Sequence, residues 1–330
     1  MPANLTPQYK EAEQRFRVAQ DHEEKLAALR EMLALLPKHK GTEKLQADLR
    51  RRVAKLEEEG ERSHHGAAHR HDPGHVVREG AGQWVLVGPP NAGKSALVRA
   101  LTHAHPEVAP YPFTTRVPQP GMMPFEDVQV QLVDGPAVTP HHTESYMPNL
   151  VHGADGVLVV VDVADDSLAE AGRTISALLE RARVWPATRP PPHDAPPFLL
   201  MRPVLLAINK CDLDEDGAFA ELARESLGLE LPTFVVSAEQ GTGLDALRRG
   251  LFESLERIRI YAKEPGKKPD TTRPFVLARG ATVHDLALQV HKEIAERLKY
   301  ARIWGSSMFD GQQVEREHEL ADRDVVELHA

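Results

Sequence analysis

The octet Gly88-Pro-Pro-Asn-Ala-Gly93-Lys94-Ser95 constrains this chain more than any other stretch. It fits the pattern G-x-x-x-x-G-K-[ST] and lies between an apolar run, Trp84 to Val87, and an amphipathic segment. Strand, glycine-rich turn and helix in that order turn backbone N–H groups and the positive helix end toward phosphate. Gly88 and Gly93 let the backbone curl, and Pro89, Pro90, Asn91 and Ala92 complete the loop. In this reading Lys94 reaches the β and γ phosphates and the Ser95 hydroxyl holds magnesium. The surrounding sequence agrees. Val128 to Val133, Gly156 to Val163, Val204 to Ile208 and Thr233 to Val236 are short β-rich runs with helical stretches between most of them. That alternation predicts a largely parallel α/β sheet. The proline-dense segment from Trp185 to Pro203 is expected to be a surface loop.

A nucleoside triphosphate needs a base reader as well as a phosphate cradle. Asn209-Lys210-Cys211-Asp212 follows the run that ends at Ile208. A carboxylate at Asp212 accepts from both N1–H and N2–H₂ of guanine, and adenine offers no such pair, so the wrong base would leave a charge unpartnered. Ser237 and Ala238, after the next run, are placed to back the base with main-chain groups. Thr114-Thr115 can approach the metal from a loop, and Asp134 ends a strand. Five elements in this order predict a GTP-binding domain.

With 330 residues, 41% hydrophobic, the chain can fill two or three cores. Residues 1–60 read as a helical hairpin: Leu26, Leu29, Leu33 and Leu36 form one apolar stripe, and Leu45, Leu49, Val53 and Leu56 a second. Residues 61–80 read as a linker with five histidines whose spacing fixes no coordination geometry, so a tether is expected rather than a metal site. The GTP-binding domain is assigned to 81–262, a basic linker to 263–271, and a small α+β unit of β-grasp (ubiquitin-like) type to 272–330. In that last unit Thr282 and Asp285 cap a helix expected to run to about Tyr300. A single cysteine excludes a disulfide framework. The longest apolar run is far short of a membrane span and no secretory signal is visible, so a cytoplasmic protein without membrane contact is expected. The net charge of −9 argues against gripping nucleic acid over the whole surface. Arg50, Arg51, Arg52 and Lys55 are the best local RNA-facing candidates.

On these motifs the chain resembles the Obg-type GTPases, and within them the developmentally regulated GTP-binding protein branch. Tyr111-Pro-Phe-Thr-Thr115 resembles the family's switch I. Pro37 to Asp48 resembles the helical N-terminus of prokaryotic members, while Lys299 to Trp304 and Asp322 to Val326 resemble a TGS domain. The resemblance implies a P-loop NTPase of the TRAFAC type, with Thr115 as a second magnesium ligand. It also implies a slow switch cycling between GTP and GDP near the ribosome or RNA, with the TGS domain as docking module and a regulatory protein partner conceivable. The chain departs from the family in switch II, where Asp134-Gly-Pro-Ala137 replaces Asp-x-Pro-Gly. Alanine keeps the N–H but loses freedom of φ. The next position, which holds a water-orienting glutamine in Ras-like enzymes, is Val138, which can neither orient nor deprotonate water. Help is then expected from elsewhere. Asn91 occupies the position that coordinates potassium in related cation-activated GTPases, Arg116 follows Thr115, and a partner could supply the missing group. The other reading is a GTP-responsive binding module with negligible hydrolysis.

Overall fold

The computed structural model describes residues 28, 29, 31–33, 35, 49, 51, 74–102, 118–214 and 216–330. The chain divides into two compact units, Met1–Asp72 and Pro73–Ala330. In the first, the described residues are helical, with Leu29, Met32 and Leu49 buried and Arg51 exposed. The rest of the expected hairpin, the histidines at 64, 65, 69 and 71, and Thr114, Thr115 and Arg116 lie outside the described residues.

The second unit begins with strand β1 (Gln83–Val87) and helix α1 (Lys94–Thr102), followed by β2 (Gln119–Phe125) and β3 (Val128–Asp134). Then come α2 (Met147–Gly153), β4 (Gly156–Asp162), α3 (Leu168–Arg181), β5 (Val184–Pro186), β6 (Leu200–Arg202) and β7 (Val204–Asn209). Helix α4 (Ala218–Leu227), β8 (Thr233–Val235) and α5 (Leu244–Glu253) complete the larger domain. Six of its strands form one sheet in the order β2-β3-β1-β4-β7-β8, parallel except for β2. The expected α/β sheet is therefore present. The apolar runs are continuous because both faces are covered. Trp84, Leu86, Leu158 and Val160 point into one core, which α1 and α5 close. Val85, Val87, Val157, Val159 and Val161 point into the opposite one, under α2, α3 and α4.

Strand β2 carries no strong sequence signal, because Pro120, Gly121 and Pro124 interrupt it. Only an edge position tolerates those residues, and β2 is the edge. The proline-dense loop is pinned at its ends, where β5 pairs with β6 and the Trp185 indole N–H donates to the Pro190 carbonyl at 3.0 Å.

Two expected boundaries move. Residues 74–80 are packed rather than linking: Val76 joins a core, Arg78 pairs with Asp155 at 3.1 Å, and Gly80 bridges to Val130. At the other end, β9 (Arg257–Ala262) belongs to a second sheet, with β10 (Phe275–Ala278), β11 (Tyr300–Trp304), β12 (Gln312–Val314) and β13 (Val325–His329). Its Ile258 and Ile260 fill the small core while Arg257, Arg259 and Tyr261 face the other way. The C-terminal domain thus starts at Arg257, and 263–271 is the connection between the antiparallel strands β9 and β10, not an interdomain linker. The helix expected to reach Tyr300 is two, α6 (Val283–Val290) and α7 (Lys292–Arg297). The Thr282–Asp285 capping box forms as expected. His291 breaks the run: it is extended, and its ring accepts from the Glu293 N–H to cap α7.

The two domains share a charged junction. The Arg259 guanidinium, 4% exposed, bonds Asp127 at 2.9 Å and Asp322 at 2.7 Å, and also reaches Glu126. Its plane lies over Phe252, 5.2 Å from the ring centroid. Against the cost of burial, the Asp127 carboxyl is held below its usual range by the Tyr261 hydroxyl and then Arg259, that of Asp322 by Arg259, and that of Glu126 by Arg259 and Arg323. Groups with depressed folded pKa values contribute stability above their unfolded values, which is lost as pH falls through the folded ones. Arg259→Met keeps the apolar stem and removes the cation the three carboxylates share, leaving Glu126 and Asp322 to Arg323 and Asp127 to the Tyr261 hydroxyl, so unfolding at pH 7 should show a loss of about 2–3 kcal/mol. Measured in denaturant melts, that gap should shrink below about pH 4 as the carboxylates take up protons.

Candidate nucleotide site

Strand β1 has β3 on one side and β4 on the other, so the strand order reverses at its carboxyl end, where open α/β sheets bind ligands. The loop at 88–95 leaves β1 at that point. Close packing dictates Gly88: a Cβ there would lie 2.0 Å from the Val160 carbonyl oxygen on β4. Gly93 has φ +88°, and a Cβ would lie 2.2 Å from the Asn209 amide nitrogen. Asn91 also takes a positive φ, 60°, which asparagine tolerates better than most residues, and its side chain is exposed. The Leu97 N–H donates to the Gly93 carbonyl at 2.8 Å and opens α1.

Lys94 is 7% exposed, and its ammonium donates to the Gly88 and Pro89 carbonyls at 2.9 Å each. Burial pushes its pKa down to about 8, against the pull of Asp134. Burial likewise raises the Asp134 carboxyl, against its bond from the Ser95 hydroxyl and the charges of Lys94 and Arg99. Oδ1 of Asp134 is buried without a hydrogen-bond partner. A hydroxyl beside a carboxylate with a spare buried oxygen is a hard oxygen donor set that suits magnesium. These groups line a cleft of about 630 Å³ with Pro90, Asn91, Gly93 and Ala137.

The base-reading residues meet this loop through Asn209. Its amide, 1% exposed, donates to the Ala92 carbonyl and accepts from the Ala238 N–H, both at 3.0 Å. Lys210 takes φ 64° and donates to Asp162 at 2.6 Å. Asp162 ends β4, and its strand-end position is the only sequence signal that could have marked it. Asp212 lies in a single 3₁₀ turn (Cys211–Leu213), and its Oδ1 is buried with no partner, as an uncommitted acceptor for a base would be. Ser237 and Ala238 stand where the sequence places them, but their N–H groups donate within the protein, to Thr242 and Asn209.

The segment after Asp134 packs against the 88–95 loop. Ala137 lines the phosphate cleft without a positive φ. The Val138 N–H donates to the Gly88 carbonyl at 3.1 Å, and its side chain, 3% exposed, is packed in the core with Met147. Val138 does not line the cleft. Arg99 and Gln119 line the cleft and were not anticipated. A larger cleft, about 820 Å³, lies between 78–82 and β10. Its Asp127 and Asp155 are committed to Arg259 and Arg78, and no phosphate loop reaches it.

Residues 83–190 match the family of 50S ribosome-binding GTPases, and residues 258–330 match the TGS domain. A GTP-binding protein of Methanocaldococcus jannaschii is 28% identical, over 93% of this chain and 92% of its own. Developmentally-regulated G-protein 2 of Arabidopsis thaliana is 26% identical over 92% and 90%. The solved structure of a GTP binding protein from Pyrococcus horikoshii aligns with TM-score 0.47 and 18% identity, covering 75% of this chain and 99% of that one.

The depressed Lys94 pKa gives a signed expectation. An unfolded lysine titrates near 10.5. Below about pH 8 the buried charge therefore costs stability in full, and the cost is relieved as pH rises from about 8 toward 10.5. The negative charge of a bound triphosphate would favour the protonated ammonium. Nucleotide affinity should fall as pH rises above about 8, by up to about tenfold per unit, and Lys94→Met should remove that slope in a fluorescence titration.

Proposed function

We propose, for a chain that joins a GTPase domain to a TGS domain and whose relatives are developmentally regulated GTP-binding proteins, a slow magnesium-dependent GTP switch that acts on the ribosome or RNA. The observation that carries the guanine assignment is Asp212, whose buried oxygen has no partner while Asn209 ties its loop to the phosphate loop. Gly88 to Ser95 cradle the phosphates, with Lys94 as the cation among them. Ser95 and, from switch I, Thr115 hold magnesium, and Asp134 supports it. When bound, magnesium neutralises charge on the β and γ phosphates. Lys94 adds a fixed cation, and the loop N–H groups add dipoles that need no reorganisation.

Slow hydrolysis follows from Val138, whose side chain is spent in the core. Asn91 is the proposed potassium ligand, as the resemblance implies; its exposed amide at the cleft is free to meet an ion, and its positive φ equally suits a loop-shaping role. Docking on the ribosome is supported by the name of the matched family and by the TGS domain, and a regulatory protein partner is compatible with both. Cytoplasmic placement is proposed from the same reading, and no described helix is long and apolar enough to cross a membrane. The buried Val138 also favours the second reading, a GTP-responsive module with negligible turnover.

Titration with fluorescent GDP, GTP and ATP analogues, then phosphate release in potassium and in sodium, tests both. Guanine-selective binding is expected, with release faster in potassium and absent in Lys94→Ala. Asp212→Ala should lower GTP affinity by at least about 100-fold, since two charge-assisted bonds are lost. Equal ATP binding would overturn the guanine assignment. Equal release in the two salts would remove the role of Asn91, and no release in either would leave the binding module.

A further inference from the structure

Two polar side chains in the phosphate cleft have no task in the arrangement above. Arg99 stands on α1 four residues after Ser95, on the same helix face. Gln119 opens β2 directly opposite Asp134 in the antiparallel register. Both line the cleft with Lys94 and Ser95. The other cations there are committed: Lys94 to two loop carbonyls and Lys210 to Asp162. Arg99 has no hydrogen bond or ion pair among the described residues, although its charge is felt at Asp134.

The cleft lacks what switch II ordinarily provides. The Val138 side chain is buried, and Ala137 brings no side-chain donor or acceptor, only a methyl group beside its backbone N–H. Phosphoryl transfer develops charge on the β–γ bridging oxygen and spreads it over the γ oxygens, and a guanidinium with five donors in a planar fork suits those oxygens. We infer that Arg99 is an arginine acting in cis on the transition state of GTP hydrolysis, with Gln119 beside it ordering the attacking water. The inference rests on the hydrolase reading above. In the step, the water oxygen forms a bond to Pγ as the bond from Pγ to the bridging oxygen breaks. GDP leaves with that electron pair, and the water proton ends on inorganic phosphate. Arg99 neither gains nor loses a proton. Its positive charge opposes magnesium and favours phosphate, so its benefit falls on the anion.

Single-turnover hydrolysis at saturating GTP and magnesium tests this, alongside the affinity for GDP alone and for GDP with aluminium fluoride. Arg99→Ala should slow the step by about 100-fold, leave GDP affinity within about twofold, and lose the tightening that aluminium fluoride gives the wild type. Arg99→Lys should recover part of the rate. Gln119→Ala should slow the step with GDP affinity unchanged. Wild-type hydrolysis with Arg99→Ala within about threefold of it and the tightening intact would overturn the inference alone. So would a fall in GDP affinity that matches the fall in rate, which would make Arg99 a ground-state binder. A wild type with no turnover would overturn the hydrolase reading and this inference with it.

Discussion

The amide of Asn209 holds the candidate site together. Phosphate cradle and base reader leave the sheet on different strands, β1 and β7, with β4 between them. One buried side chain spans that gap, giving its N–H to the Ala92 carbonyl and taking the Ala238 N–H on its oxygen. Both bonds lie where water cannot replace them, so each broken one would leave a buried group unsatisfied at a cost of about 1–3 kcal/mol. The same contact explains why position 93 must lack a side chain, since a Cβ would fall within 2.2 Å of that amide. The loop motif and the base motif, far apart in sequence, are thus one packing unit.

Charge in the cleft is arranged for a ligand rather than for the empty protein. Burial works against both Lys94 and Asp134, lowering the first and raising the second. Each is only partly offset by the other, and Asp134 keeps a buried oxygen without a partner. A triphosphate with its metal would supply the missing partners to both. Some folding stability is held back in this way for binding, as functional sites commonly do. The opposite end of the β2–β3 pair carries another concentrated interaction, in which Arg259 of the C-terminal sheet gathers Glu126 and Asp127 from the turn. The strands that present Gln119 and Asp134 to the cleft are therefore cross-linked at their far end to the second domain.

The segment after Asp134 keeps a backbone contact with the 88–95 loop while burying the side chain of Val138. The Val138 backbone retains its hydrogen bond to Gly88, so the segment still docks on the phosphate loop. Its side chain joins Met147 and Leu150 in the core. The segment is thereby fastened by hydrophobic burial, worth about 1.5–3 kcal/mol for a valine.

The sequence by itself determined the phosphate loop, the base motif, the alternation of strands and helices, and the presence of a small C-terminal domain. All of these are short-range: fixed spacings of Gly, Lys, Asn and Asp, or periodic runs of valine and leucine, whose physical meaning does not depend on distant partners. The tertiary structure alone decided the rest. Strand β2 exists because a sheet edge tolerates its prolines, and β9 left the domain it adjoins because Ile258 and Ile260 found their core with Val326 and Leu286. The helix break at His291 carries neither glycine nor proline to announce it. Nothing in the sequence singles out Arg99 or Gln119; α1 and the β2–β3 register bring them beside Ser95 and Asp134. A side chain's task depends on what long-range packing sets opposite it, and that is not written in its neighbours along the chain.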